Sequence, residues 1–199
     1  MSDKYGIDQD PYCYPGTNTL INLLDIQDEA TLERAERKLT ELAIEKISFA
    51  EPPYNFAYVR NIHRILFSEI YEWAGEIRTV DISLGNTRFC TCSRIAPEAG
   101  KLFCRLEEFA FFINLPKNRL IEKAAEFYTD VNVLHPFRDG NGRVQRILFE
   151  HLILNCGYSI SWQQVSRQDW IYANIEGFNG RNSAMTKIFA RCIGDEISN

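Results

Sequence analysis

The sequence predicts an all-α domain, a helical bundle that carries one short β-hairpin. Three observations lead there. Apolar residues recur at spacings of three and four along most of the 199 residues. Strict alternation appears only over 79–84, where Gly85-Asn86 turns the chain and 87–90 returns it. Hydrophobic residues make up 45% of the chain and aromatics 13%, enough for a full core.

Residues 1–18 are polar, with Asp10-Pro11, Pro15-Gly16 and tyrosines at 5, 12 and 14, and read as an extended arm laid on the surface. Thr17 or Asn18 caps a short helix expected near 18–24. A longer helix starts near Asp28 and runs to about 47, with Leu32, Ala35, Leu39, Leu42 and Ala43 on one face. Pro52-Pro53 breaks the chain. A helix over 56–73 follows, with Val59, Ile62, Ile65, Leu66, Ile70 and Trp73 inward. His63 lies within it and reads as a satisfied core histidine. The hairpin over 79–90 must pack on something, because two strands alone are marginal.

Ala96-Pro97 opens a helix over 97–114, whose phenylalanines 103, 109, 111 and 112 read as core. Leu115-Pro116 ends it. The helix over 118–134 carries Leu120, Ala124, Phe127, Tyr128, Val131 and Leu134. Another carries Val144, Ile147, Leu148, Leu152 and Ile153 and stops at Gly157. Helices over 166–176 and 183–194 close the chain. The organisation this suggests is an arm with helices over 1–55, packed on a catalytic domain over 56–199.

The polar run 135–146 joins two of these helices and concentrates chemistry. Pro136 pushes His135 out of the right-handed α region, so the helix ends there and leaves a histidine on a held loop, a suitable general base. Gly140 and Gly142 permit positive φ, which turns backbone N–H groups toward one point at a helix N-terminus. Asn141 adds a side-chain amide. Arg143 and Arg146, three apart, share a helix face and suit a polyphosphate. Asp139 beside phosphates is a natural single-carboxylate Mg²⁺ ligand. Together these point to a Mg²⁺–nucleoside triphosphate site with a histidine base aimed at it. Other templates fail. The Gly-x-x-x-x-Gly-Lys-Ser/Thr loop is absent, Gln145 stands where Gly-x-Gly-x-x-Gly needs glycine, and Val144 stands where a calcium loop needs it.

A net charge of −5 and a pI near 5.3 argue against direct nucleic-acid binding. No apolar run reaches membrane-spanning length, and the N-terminus is polar. The six cysteines form no Cys-x-x-Cys pair; Cys104, Cys156 and Cys192 read as small core hydrophobes. The expected setting is a reducing bacterial cytoplasm.

His-Pro-Phe-x-Asp-Gly-Asn-Gly-Arg-x-x-Arg, complete at 135–146, resembles the signature of the Fic family. The stretches Ile62-His63-Arg64 and 71–78 resemble it too. The resemblance implies an all-α Fic fold whose hairpin, the flap, lies over the active site and pins a target segment by strand pairing. It implies protein adenylyltransfer: AMP passes from ATP, with Mg²⁺, to a Ser, Thr or Tyr hydroxyl of a target protein. His135 would be the base and Asp139 the metal ligand. Gly140, Asn141 and Gly142 would form the anion hole, with Arg143 and Arg146 on the outer phosphates, Arg138 beside them, and Phe137 anchoring the loop. Leu84, Gly85, Asn86 and Thr87 would line the groove, and Asn174 would contact adenine. Gly142 distinguishes the chain from the kinase-like Doc branch.

Many Fic proteins carry an inhibitory Ser/Thr-x-x-x-Glu-Gly/Asn helix, and this sequence has none: Tyr172 stands four before Glu176-Gly177. With Asp10-Pro11-Tyr12-x-Tyr14-Pro15-Gly16, this resembles bacterial Fic toxins held by a separate small antitoxin that supplies the glutamate against Arg146. Such toxins point to DNA gyrase or topoisomerase IV B subunits as targets. The alternatives are a secreted effector modifying host small GTPases and a non-catalytic nucleotide-binding module. Intact His135 and Asp139 speak against the second.

Overall fold

The structure, a computed structural model, describes residues 10–85 and 87–197. Helix α1 (Glu29–Ile44) begins where the Asp28 carboxylate accepts from the Thr31 N–H at 2.9 Å. Helix α2 (Phe56–Phe67) begins the same way, on Asn55. It stops at Phe67, short of the expected 73, because the Ile70 and Tyr71 N–H groups both bond to the Phe67 carbonyl and close the last turn. The hairpin is smaller than the alternation implied. Strand β1 (Ser83–Leu84) pairs antiparallel with β2 (Thr87–Arg88).

Helix α3 (Ile95–Glu108) ends earlier than expected. Residues 110–112 then run through positive φ, which buries Phe112 but leaves Phe109 on the surface. Helix α4 (Lys117–Leu134) ends at His135 and α5 (Asn141–Asn155) starts just beyond Gly140. Helices α6 (Arg167–Phe178) and α7 (Ser183–Cys192) pack against α4. The sequence reading missed two short strands. Strand β3 (Tyr158–Ile160) pairs antiparallel with β4 (Ile193–Glu196), fixing the last residues described to the end of α5. The expected all-α architecture stands, with seven α-helices and two small strand pairs among the described residues.

The main core is a single large cluster with an aromatic centre, Phe127, Tyr128, Phe149 and Phe189 from α4, α5 and α7, while Ile82 and Phe89 form a separate small cluster in the hairpin. Each such ring contributes about 2 kcal/mol on burial. Leu32 and Ala43 bring α1 into the same core, but the polar Glu36 and Thr40 share its buried face while Leu42 is exposed. Cys192 is buried as expected, whereas Cys104 is exposed because it faces away from the α3 side that carries Leu102, Phe103 and Leu106.

The short helix expected near 18–24 does not form. The Asn22 carboxamide bonds to the backbone at Leu20, Leu24 and Ile26, and so saturates the groups a helix would have used. The segment instead makes an antiparallel bridge between Cys13 and Leu20. Among the described residues no helix is long and apolar enough to cross a membrane.

Candidate active site

The loop between α4 and α5 forms the floor of a cavity of about 780 Å³, which the hairpin and α6 wall. This volume is in the range of small-molecule sites. His135 sits at the end of α4 in a left-handed conformation, φ 42° and ψ 63°. That is a strained setting for a non-glycine residue, and such strain clusters at functional positions. Its ring stacks on Phe89 at 3.8 Å between centroids, and Nδ1 lies 3.2 Å from the Asn132 carbonyl. With Nδ1 donating to that carbonyl, Nε2 is the acceptor nitrogen, the protonation pattern of a general base.

Arg78 holds this conformation. It is fully buried, and its guanidinium donates to three carbonyls: Nε to His135 at 2.8 Å, Nη1 to Val80 at 2.6 Å and Nη2 to Cys90. Its own N–H bonds to the Pro136 carbonyl. Burial pulls its pKa below the ordinary guanidinium value, opposed by nearby Asp81. One side chain therefore ties both ends of the hairpin to the backbone of the base. Arg78→Met keeps the apolar stem and strands three carbonyls. The expected result is a stability loss of about 3 kcal/mol or more in urea unfolding, with faster amide exchange at 80–90.

The two glycines of the loop do different work. Gly140 is left-handed, φ 80°, and a Cβ there would collide with the Phe67 ring. At Gly142 a Cβ would meet nothing within 4 Å, so its bare Cα leaves room above the α5 N-terminus. The leading N–H groups of a helix have no intrahelical acceptors. Here they belong to Asn141 and Gly142, and both residues line the cavity. The Asn141 side chain is tied into the loop itself. Its amide bridges the Phe137 N–H and carbonyl at 2.9 and 2.8 Å and so braces the loop.

Beneath the loop, His63 has a structural task. Its Nδ1 accepts from the Gly75 N–H at 2.8 Å, its Nε2 meets the Asp139 carbonyl at 3.1 Å, and its ring stacks on buried Phe137. Burial lowers its pKa from 6.5 to about 3. The folded chain keeps His63 neutral where the unfolded chain would bind a proton. Stability therefore falls as pH drops below 6.5 and keeps falling toward 3. The full difference is of the order of 5 kcal/mol. Buried His151, also lowered, adds in the same direction. Urea midpoints measured from pH 7 to 5 should decline, and less steeply in His63→Asn.

The remaining expected residues divide clearly. Asp139, Arg143 and Arg146 line the cavity, as do Leu84, Gly85 and Thr87 from the hairpin and Asn174 from α6. The Arg146 guanidinium sits over the Trp170 ring at 5.6 Å. Asn174 donates to the Trp170 carbonyl, and its buried Oδ1 has no hydrogen-bond partner. Asn86 lies outside the described residues. Arg138 is not in this cavity. It turns to the opposite side of the loop and pairs with Asp10, Nε donating at 2.6 Å, both side chains buried. That ion pair, 128 residues apart in sequence, decides its direction. Sequence reasoning missed Phe89, Asn132, Trp170, Ile171 and Ile175 as cavity walls. Only the apolar i, i+4 pair of Ile171 and Ile175 offered a signal.

Asp139 fits the Mg²⁺ that the loop motif implies. Its Oδ1 accepts from the Gly140 N–H at 2.6 Å while the residue faces the cavity. No group of three or more metal-binding side chains exists among the described residues. A single carboxylate completed by phosphate oxygens and water is a common Mg²⁺ environment.

A family model described as Fic/DOC family matches residues 53–153, so it spans the hairpin, the loop and most of α5. The chain is 39% identical over 195 residues to a probable protein adenylyltransferase Fic of Escherichia coli K12, covering 98% of each. It is 35% identical over 193 residues to the protein adenylyltransferase VbhT of Bartonella schoenbuchensis, covering 94% of this chain and 40% of that one. Among solved structures, the BepC effector of Bartonella tribocorum with bound AMPPNP superposes with a TM-score of 0.87 at 26% identity, over 93% of this chain and 97% of that one. On both the match and the identities, this chain is a member of the Fic/DOC family.

Proposed function

We propose that the chain is a protein adenylyltransferase, transferring AMP from ATP to a Ser, Thr or Tyr hydroxyl of a target protein. One observation carries the reading: the acceptor nitrogen of His135 and the α5 N-terminus serve one cavity, under a hairpin able to receive a strand. The relatives named as adenylyltransferases support it. The target hydroxyl gives its proton to His135 Nε2. Its oxygen attacks the α-phosphorus, the bond to the bridging oxygen of the β-phosphate breaks, and pyrophosphate leaves. The N–H groups of Asn141 and Gly142, with Arg143 and Arg146, hold the phosphates as charge develops. Mg²⁺ on Asp139 would neutralise part of that charge. Asn174 Oδ1 offers an acceptor to the adenine amino group.

We place residues 1–55 as an extension on a catalytic domain of 56–199. We further propose a bacterial toxin acting on DNA gyrase or topoisomerase IV B subunits, held by an antitoxin glutamate at Arg146. The support is the missing inhibitory motif and the position of Arg146 on the cavity wall.

The test is incubation with Mg²⁺ and ATP labelled at the α-phosphate, in bacterial and eukaryotic lysates and with purified B subunits. Label on a discrete protein with the intact chain, absent with His135→Ala, is the expected outcome. Transfer from γ-labelled ATP instead would make the chain a kinase. Label appearing only in a eukaryotic lysate would replace the toxin reading with that of an effector.

A further inference from the structure

Arg143 stands between two cavities. One is the nucleotide cavity. The other, of about 340 Å³, lies on the far side of the loop against α1 and the arm. From that far side the Glu36 carboxylate pairs with Arg143 Nη2, and Thr40 Oγ1 accepts from Nη1 at 3.2 Å. The Phe67 ring lies 4.7 Å from the guanidinium carbon. Tyr71 donates its hydroxyl proton to the other Glu36 oxygen at 2.5 Å. Glu36 is only 8% exposed, on the α1 face that also carries Leu32 and Ala43. A buried carboxylate costs several kcal/mol of desolvation unless it is paired, so an apolar residue would serve packing there at least as well. Glu36 does not line the nucleotide cavity, so it does not occupy the place of a phosphate.

We infer that Glu36 is a positioning residue for nucleotide binding. Together with Thr40 it takes the rear N–H groups of Arg143 and so aims the remaining donors at the β- and γ-phosphates. This rests on the reading of Arg143 as a phosphate ligand. It gives α1, outside the matched family segment of 53–153, a part in substrate recognition. An arginine held on two sides loses less side-chain entropy on binding than a mobile one.

The experiment is calorimetric titration of the full chain with ATP, ADP and AMP in the presence of Mg²⁺, alongside thermal unfolding. Glu36→Gln keeps an acceptor for Tyr71 and removes the charge. Its ATP affinity should fall about tenfold, the scale of one charge-assisted hydrogen bond, with AMP affinity unchanged. Thr40→Val should shift the ATP/AMP ratio in the same direction by less, and stands in if Glu36→Gln does not fold. A merely structural role would lower the unfolding midpoint and leave that ratio alone, which overturns the inference. Tighter ATP binding by Glu36→Gln would also overturn it, making Glu36 a competitor of phosphate. Arg143→Ala separates the levels. If it loses ATP preference while the two α1 variants do not, the inference alone fails. If it too keeps the preference, the phosphate reading of Arg143 fails.

Discussion

His135→Ala should abolish AMP transfer and leave ATP affinity within about twofold, because the base acts on the hydroxyl and the phosphates rest on other groups. Loss of general-base catalysis alone is worth roughly 10²–10⁴-fold in rate. The substitution also removes the stack on Phe89 and places alanine in a left-handed conformation. Losing the stack costs about 1 kcal/mol of stability, whereas the left-handed strain is already borne by His135. His135→Asn separates the two effects, since asparagine tolerates this conformation and still cannot act as a base. The comparison needs initial rates with α-labelled ATP, calorimetric ATP affinity and thermal midpoints for all three proteins. An asparagine variant that folds normally and transfers AMP at more than about a tenth of the wild-type rate would remove His135 from the role of base.

Gly140→Ala should damage both fold and site. The backbone there has φ 80°, and the new Cβ would run into Phe67, which is itself fully buried. Phe67 has nowhere to go, because the neighbouring His63 ring packs against it and also stacks on Phe137. Left-handed strain and overpacking together amount to about 2–5 kcal/mol. Urea unfolding should show that loss, and ATP binding should fall with it as the loop is displaced. Gly142→Ala is the informative contrast. Its Cβ would meet open space, so stability should hold while the methyl group obstructs phosphate at the α5 N-terminus. If both variants lost stability equally, the division of labour between the two glycines would be mistaken.

The candidate site was legible where its parts are contiguous. His135, Asp139, the two glycines and Arg143 and Arg146 sit in one twelve-residue run, and chain connectivity alone delivers them to one place. The helices were legible because apolar periodicity reports which side packs. What stayed hidden depends on partners far away in the chain. Glu36 reads as one more surface glutamate of a charged helix until Arg143, 107 residues on, meets it. Arg138 reads as a phosphate ligand until Asp10 claims it. The 18–24 helix failed for a local reason: a carboxamide outcompeted helical hydrogen bonds over a segment too short to resist. Strands β3 and β4 are too brief for alternation to show, and only their pairing gives them away.

The Arg78 clamp has an evolutionary consequence. The hairpin's two ends and His135 share one anchor, the Arg78 guanidinium, which bonds at Val80 and Cys90 and not at the paired residues Ser83–Leu84 and Thr87–Arg88. On the proposed function, in which the hairpin receives the target strand and His135 is the base, chemistry and recognition are thereby decoupled. The tip can drift to suit a new protein client without detuning proton transfer, provided the anchor stays. A lineage can then retarget the enzyme by exchanging a handful of residues, and transplanting 83–88 between relatives is the natural route to redirecting it.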